Sequence, residues 1–244
     1  MKLFMTSSPS GQYMEERKSP QPLNNDNNFV DNIKKIWKEN SNGLLIAAFP
    51  DEFDMNDQMK AGLEKSFELS GLSVKEMNIC DRRNFAEAEK LISNADFIIL
   101  SGGHVPTENK FFKEIALKEK IKNFEGIVIG ISAGTMNCAE RVYAQPEEDG
   151  ESTDKNYKKF ISGLGLTNIN VIPHYQVTKN FTIDGQRLFE DVTYKDSIGE
   201  KFYALVDGSY IYSEKGKETL FGEAYLIAEG KTEKICSKDE KIIL

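Results

Sequence analysis

The sequence predicts an α/β fold: a three-layer α/β/α sandwich on a mostly parallel sheet, with antiparallel C-terminal hairpins. Three observations predict it. Short β-branched apolar runs alternate with longer amphipathic stretches through most of the chain, the pattern of parallel strands covered by helices on both faces. From residue 202 onward the helical period gives way to strand-like alternation, punctuated by Gly208, Gly216, Gly222 and Gly230, as in hairpins at a sheet edge. The run Ile127–Ile131 breaks into Gly-x-Ser-x-Gly around Ser132, the sequence form of a nucleophile elbow.

Taken in order, residues 3–5 read as a first strand. Residues 29–38 read as a helix, with Phe29, Ile33, Ile36 and Trp37 at helical spacing. Residues 44–49 form a second strand, and 55–69 a second helix that stops at Gly71. A weaker strand at 74–79 precedes a helix at 86–92. A strongly apolar strand, Phe97–Leu100, leads to a helix over 107–121 and then to the strand before Ser132. A helix over 135–143 follows it. Residues 169–173 read as a strand, 184–192 as one more helix, and the hairpins close the chain. With 244 residues and 39% apolar content, one core and one domain over 1–244 are expected.

Composition excludes several function classes. The formal charge of −8 repels nucleic acid and anionic membrane surfaces, and no basic cluster offsets it. The three cysteines, Cys80, Cys138 and Cys236, form no C-x-x-C pair, so neither a disulfide framework nor a zinc site is expected, and a reducing cytoplasm fits. The apolar start at residues 3–5 is too short for a signal-peptide core, and no run approaches membrane-spanning length. No metal and no cofactor is called for. The sequence leaves open whether the chain is a monomer or a homodimer.

Two segments read as long loops. Residues 9–28 are rich in Ser, Pro, Gln and Asn, and 146–155 carry Glu147, Glu148, Asp149, Glu151 and Asp154. Both read as solvated surface, with a lid over the site as the alternative for 9–28.

A serine hydroxyl needs a base within hydrogen-bond reach, itself oriented by a third group. The chain has only two histidines, so the base is His104 or His174. His174 lies in Val-Ile-Pro-His-Tyr at the carboxyl end of a strand, the end at which chemistry gathers in open α/β sheets. His104 follows Ser-Gly-Gly past another strand end. There the Gly103 N–H, with the Ala133 N–H, forms a candidate oxyanion hole, and His104 reads as a substrate or loop-packing residue. Asp207 is the candidate orienter, although Asp-Gly between alternating apolar residues is also a hairpin signal. Glu147, Glu148, Asp149 and Asp184 are the rival acids. Cys138, six residues past Ser132, reads as a packed core thiol.

These residues resemble the peptidase E and cyanophycinase family of serine peptidases, whose fold is like that of class I glutamine amidotransferases. Three blocks carry the resemblance: Ile-Leu-Ser-Gly-Gly-His at 99–104, Ile-Gly-Ile-Ser-Ala-Gly at 129–134, and Ile-Pro-His-Tyr at 172–175. The segment 205–211 is similar to the one in which peptidase E carries its acid before Gly. The resemblance implies that Ser132 is the nucleophile, His174 the general base and Asp207 the orienter, in the order Ser, His, acid. Arg187 matches an Arg-Leu downstream of the family histidine and enters as a substrate-binding candidate, against a surface ion pair. Two positions depart from the family: His104 stands where Asn is usual, and Asp207 where peptidase E has Glu.

The expected activity is hydrolysis of short peptides through Ser132. An esterase or amidase on the same serine, and a non-catalytic ligand-binding protein on the same fold, are the alternatives. Peptidase E prefers an aspartyl residue before the scissile bond. The acidic run at 146–155 argues against an anionic substrate here, because charges within about 8 Å are not screened by physiological salt.

Overall fold

The computed structural model describes residues 1–10 and 19–244. Part of the 9–28 segment, residues 11–18, therefore lies outside the described residues. Five parallel strands form one side of the large sheet, out to its β3 edge: β1 (Lys2–Thr6), β2 (Ser41–Ile46), β3 (Val74–Cys80), β4 (Phe97–Leu100) and β5 (Ile127–Ile131). Their spatial order is β1-β5-β4-β2-β3. Beyond β1 the sheet continues antiparallel through β12 (Tyr210–Glu214), β13 (Lys217–Phe221) and β16 (Lys241–Ile243).

Side-chain alternation on these strands explains the layers. Leu3, Met5, Leu44, Ile46, Ile98, Leu100 and Val128 point to one face, where they pack with Phe111, Phe112, Leu117 and Ile121. Those partners belong to α4 (Val105–Glu114) and α5 (Leu117–Ile121), and α3 (Ala88–Ser93) adds Ala88 and Ile92. Phe4, Leu45, Phe97, Ile99, Ile127 and Ile129 point to the other face, covered by α1 (Phe29–Lys34) and α2 (Phe53–Leu69). Both faces are apolar because both are buried, which is why the strands read as continuous apolar runs.

After β5 comes α6 (Ala133–Met136), then a small ribbon of β6 (Arg141–Tyr143) and β7 (Phe160–Ser162). β8 (Asn170–Ile172) is followed by α7 (Tyr175–Thr178), a hairpin of β9 (Thr182–Ile183) and β10 (Gln186–Arg187), a π-helical turn at Leu188–Thr193, and α8 (Tyr194–Asp196). The tail contains β11 (Lys201–Leu205), β12 (Tyr210–Glu214), β13 (Lys217–Phe221), β14 (Ala224–Ala228), β15 (Lys231–Cys236) and β16 (Lys241–Ile243). A second sheet, in the order β15-β14-β11-β8, packs Val171, Leu205 and Ala224 into the main core. Its other face meets Tyr143, Tyr175 and Phe189.

Four expectations are corrected. The helix over 135–143 ends at Met136, because Asn137 turns its buried amide to the Val105 carbonyl and to Glu108, and β6 begins at Arg141. The helix over 107–121 is two helices, broken at Ala116 with φ 50°. The helix over 184–192 is instead a hairpin turn at Asp184-Gly185, with φ of 50° and 76°, followed by the π-helical turn. Asp207-Gly208 is not a hairpin turn: β11 pairs with β8 and β14, while β12 pairs with β1 and β13. The chain crosses from the small sheet to the large one at Asp207.

Candidate active site

The carboxyl ends of β1, β4 and β5 lie side by side, and Ser132 is the first residue past β5. Its backbone has φ 51° and ψ −112°, a region that costs a non-glycine residue energy and persists only where the surroundings hold it. Three contacts hold it. Ser132 N–H donates to the Thr6 carbonyl at 3.2 Å, Gly134 N–H donates to the Ser101 carbonyl at 3.0 Å, and Met136 N–H donates back to the Ser132 carbonyl at 3.1 Å. The flanking glycines are required by space. A Cβ on Gly134 would lie 2.3 Å from the Leu100 carbonyl oxygen, and one on Gly130 2.8 Å from the Thr135 Cα.

His174 follows β8 and also has positive φ, 55°. That left-handed turn aims its ring at Ser132: Nε2 lies 3.0 Å from Ser132 Oγ, and Nδ1 lies 2.7 Å from Asp207 Oδ1. The Asp207 side chain is 3% exposed and that of His174 12%. Burial pushes the Asp207 carboxyl up, but the hydrogen bond and charge of His174, with donors on Ser7 and Gln176, outweigh it, and the carboxyl is held below its ordinary value. Ser7 Oγ donates to Asp207 Oδ1 at 2.6 Å and Gln176 Nε2 donates to Oδ2 at 2.7 Å, while Asp207 N–H donates to Gln176 Oε1 at 3.1 Å. Neither Ser7 nor Gln176 was singled out by the sequence. Gln176, two residues past the histidine, was within reach of the motif; Ser7 carried no local signal.

Three segments distant in sequence therefore meet in one hydrogen-bonded chain from a serine hydroxyl to a buried carboxylate. The model of Peptidase family S51 matches residues 30–221. The chain belongs to that family. As an S51 member it is a serine peptidase, and the resemblance read from its motifs is borne out. No curated protein matches the chain. Among solved structures, a peptidase from an acI-B1 Actinobacterium is similar over 100% of this chain and 96% of its own, with TM-score 0.68 at 16% identity. A candidate peptidase E protein from Listeria monocytogenes EGD-e is similar over 96% of this chain and 98% of its own, with TM-score 0.58 at 18% identity. At those identities the likeness is one of fold, a mixed α/β architecture with a large, mostly parallel sheet.

In this S51 peptidase, the other residues expected at the site fall as follows. Among the described residues, the Gly103 and Ala133 N–H groups donate to no protein acceptor. Neither Gly102 nor Gly103 has positive φ; space selects glycine at both. A Cβ on Gly102 would approach Ser132 Cβ to 3.3 Å, and one on Gly103 would strike Ala48 Cβ at 2.6 Å.

His104 immediately precedes α4, makes no side-chain bond to the helix's N–H groups, and is tied to the acidic loop. Its Nδ1 lies 2.7 Å from Thr107 Oγ1, and its Nε2 lies 2.9 Å from Glu151 Oε1. Glu151 in turn accepts the N–H groups of Glu147 and Glu148. His104, Glu148 and Glu151 offer ligand atoms within 4.8 Å of one another, but His104 and Glu151 already satisfy each other.

Arg187 forms a bidentate ion pair with Asp191 on the surface. Asp184 accepts the N–H groups of Gly150 and Ser152, which hold its carboxyl below the ordinary value. It thus caps the acidic loop, while Nδ1 of His174 is bonded to Asp207. The Cys138 thiol is fully buried, donates to the Gly134 carbonyl, and is pushed up by burial and by Glu108. A cleft of about 870 Å³ bordered by Lys2, Ser41, Asp96 and Gly126 opens at the amino ends of the strands, the end of the sheet opposite Ser132.

Proposed function

We propose that the chain hydrolyses short peptides through a Ser132–His174–Asp207 triad, with Ser132 on a nucleophile elbow. The observation that carries this is the continuous bonding from Ser132 Oγ through both ring nitrogens of His174 to Asp207. The Ser132 hydroxyl attacks the peptide carbonyl carbon as His174 Nε2 takes its proton. The carbonyl oxygen becomes an oxyanion, received by the Gly103 and Ala133 N–H groups, neither of which gives up a protein hydrogen bond to do so. His174 then delivers the proton to the leaving amine, and the C–N bond breaks to leave an acyl-enzyme. Water attacks that ester, His174 takes the water's proton, and Ser132 recovers it as the acid leaves. Asp207 holds the ring in the tautomer with the proton on Nδ1 and stabilises the imidazolium, without taking the proton itself.

The substrate range follows from what borders the loop after β4. Glu148 and Glu151 gather at His104, two residues past the glycine that faces Ser132, and among the described residues no Lys or Arg pairs with them, while burial and these two neighbours push the Glu147 carboxyl up to about 8. Peptides without a carboxylate near the scissile bond are therefore the better substrates. The test is a dipeptide and tripeptide library with neutral, basic and acidic residues before the scissile bond, assayed against the native chain and Ser132→Ala. Turnover of neutral or basic members that Ser132→Ala abolishes is expected. Turnover confined to aspartyl peptides would overturn the substrate range, and turnover that survives in Ser132→Ala would overturn the mechanism.

A further inference from the structure

β1 contributes no residue to the proposed triad, yet its end touches the segment of every member. The Thr6 carbonyl accepts the N–H of Ser132 at 3.2 Å and the hydroxyl of Thr135 at 2.8 Å, and Thr6 Oγ1 donates to the Gly130 carbonyl at 2.7 Å. Ser7, the next residue, is fully buried. Its Oγ accepts the backbone N–H of His174 at 2.7 Å and donates to Asp207 Oδ1 at 2.6 Å, and its N–H donates to the Ser209 carbonyl at 3.3 Å.

A hydroxyl has one proton to give and lone pairs to receive, and here both capacities are used within the site. The acceptor side fixes the left-handed backbone of His174. The donor side fixes the very oxygen that accepts the hydrogen bond from His174 Nδ1.

The topology gives this contact its weight. Ser132 hangs from the large sheet, His174 from the end of β8 in the small sheet, and Asp207 from the crossing between the two. Relative movement of the sheets would misalign three groups whose productive geometry tolerates about half an ångström. Ser7 stands in the large sheet's frame, in register with Ser132 through the pairing of Thr6 with Ile131, and binds the other two.

We infer that Ser7 is a positioning residue of the active site, holding the His174 backbone and the Asp207 carboxylate in the frame of Ser132. The inference rests on the triad proposed above. It gives Ser7 a role in the turnover step, distinct from substrate binding.

The test compares Ser7→Ala with the native chain, and Ser7→Thr with Ser7→Val. Thr and Val share a shape, so their difference isolates the hydroxyl whatever the added methyl does to the fold. Hydrogen bonds to charged groups carry enough energy for a loss of about 10- to 100-fold. The expected results are a fall of about that size in kcat for Ser7→Ala with KM within about twofold, and a similar gap between Thr and Val. A downfield proton resonance from the His174–Asp207 hydrogen bond is expected in the native chain, and it should broaden or vanish in Ser7→Ala and Ser7→Val. Native-like kcat in Ser7→Ala, or equal kcat in Thr and Val, would overturn the inference while leaving the triad standing. A native chain without Ser132-dependent turnover would instead overturn the triad. The proton resonance would then decide the positioning role alone, its persistence in Ser7→Ala and Ser7→Val counting against it.

Discussion

Replacing Asp207 by Asn changes one atom and sets two sets of donors against each other. In the native site, Asp207 Oδ1 accepts from His174 Nδ1 and Ser7 Oγ, and Oδ2 accepts from Gln176 Nε2. An amide has one acceptor oxygen and one donor nitrogen. If the Asn oxygen takes the Oδ1 position, its NH2 faces the Gln176 amide donor. Gln176 has no free flip, because its Oε1 holds the N–H of residue 207 at 3.1 Å. If the NH2 takes the Oδ1 position, it faces both Ser7 and His174 and drives the ring proton to Nε2, where it points at Ser132 and ends the ring's use as a base.

Either orientation costs the site, and loss of the correct tautomer in such triads costs about 10⁴ in kcat, or about 5.4 kcal/mol of barrier. Substrate contacts are untouched, so KM should hold. Steady-state kinetics on the best peptide from the library, backed by the rate of phosphonate labelling at Ser132, measures this directly. Retention of activity within tenfold of native would refute the assignment of Asp207. A second readout follows from its depressed titration. A carboxylate held low stabilises the fold above its unfolded value of about 3.9, and that contribution is lost as pH falls through the folded value. Asp207→Asn should therefore melt below the native chain at neutral pH, with the gap closing in acid.

Two further predictions concern the scaffold. Gly134→Ala places a Cβ 2.3 Å from the Leu100 carbonyl oxygen and 2.6 Å from its carbon, backbone atoms that cannot swing aside. A loss of about 1–3 kcal/mol and several degrees of melting temperature is expected, whereas Gly62→Ala in α2, with nothing within 4 Å, should gain up to about 1 kcal/mol; equal melting temperatures would refute the packing account. Glu108 is fully buried, with its Oε1 unpartnered among the described residues, and burial raises its carboxyl well above the ordinary value, with Asn137 opposing and Glu147 adding to the rise. The unfolded chain releases that proton first, so stability should fall by up to about 1.4 kcal/mol per pH unit as pH rises above about 4.3, and Glu108→Gln should flatten that part of a denaturation-versus-pH series.

What the sequence made legible was set by whether the signal was local. The strand run before Ser132, the glycines forced by the close approach of β4 and α6, and the histidine at the end of β8 are all written within a few residues of where they act. The same dipeptide shows the limit. Asp184-Gly185 is a two-residue hairpin turn that local apolar spacing disguised as helix, and Asp207-Gly208 looks like a hairpin turn but joins two sheets. What decides between them is which strands lie beside the flanking residues, and those partners are as far away as β1 and β8. Ser7 was illegible for the same reason: its two partners are 167 and 200 residues distant, and nothing around it marks a serine that bridges them. Arg187 was singled out by the family pattern, and the structure gives its guanidinium to Asp191.

The central claim is that Ser132 is activated by His174. Intact-mass analysis after treatment with a fluorophosphonate tests it most directly, comparing the native chain with Ser132→Ala and His174→Ala. The account predicts a single adduct on the native chain, none on Ser132→Ala, and labelling slowed by several powers of ten on His174→Ala. A native chain that stays unlabelled, or a His174→Ala chain labelled at the native rate, would contradict it.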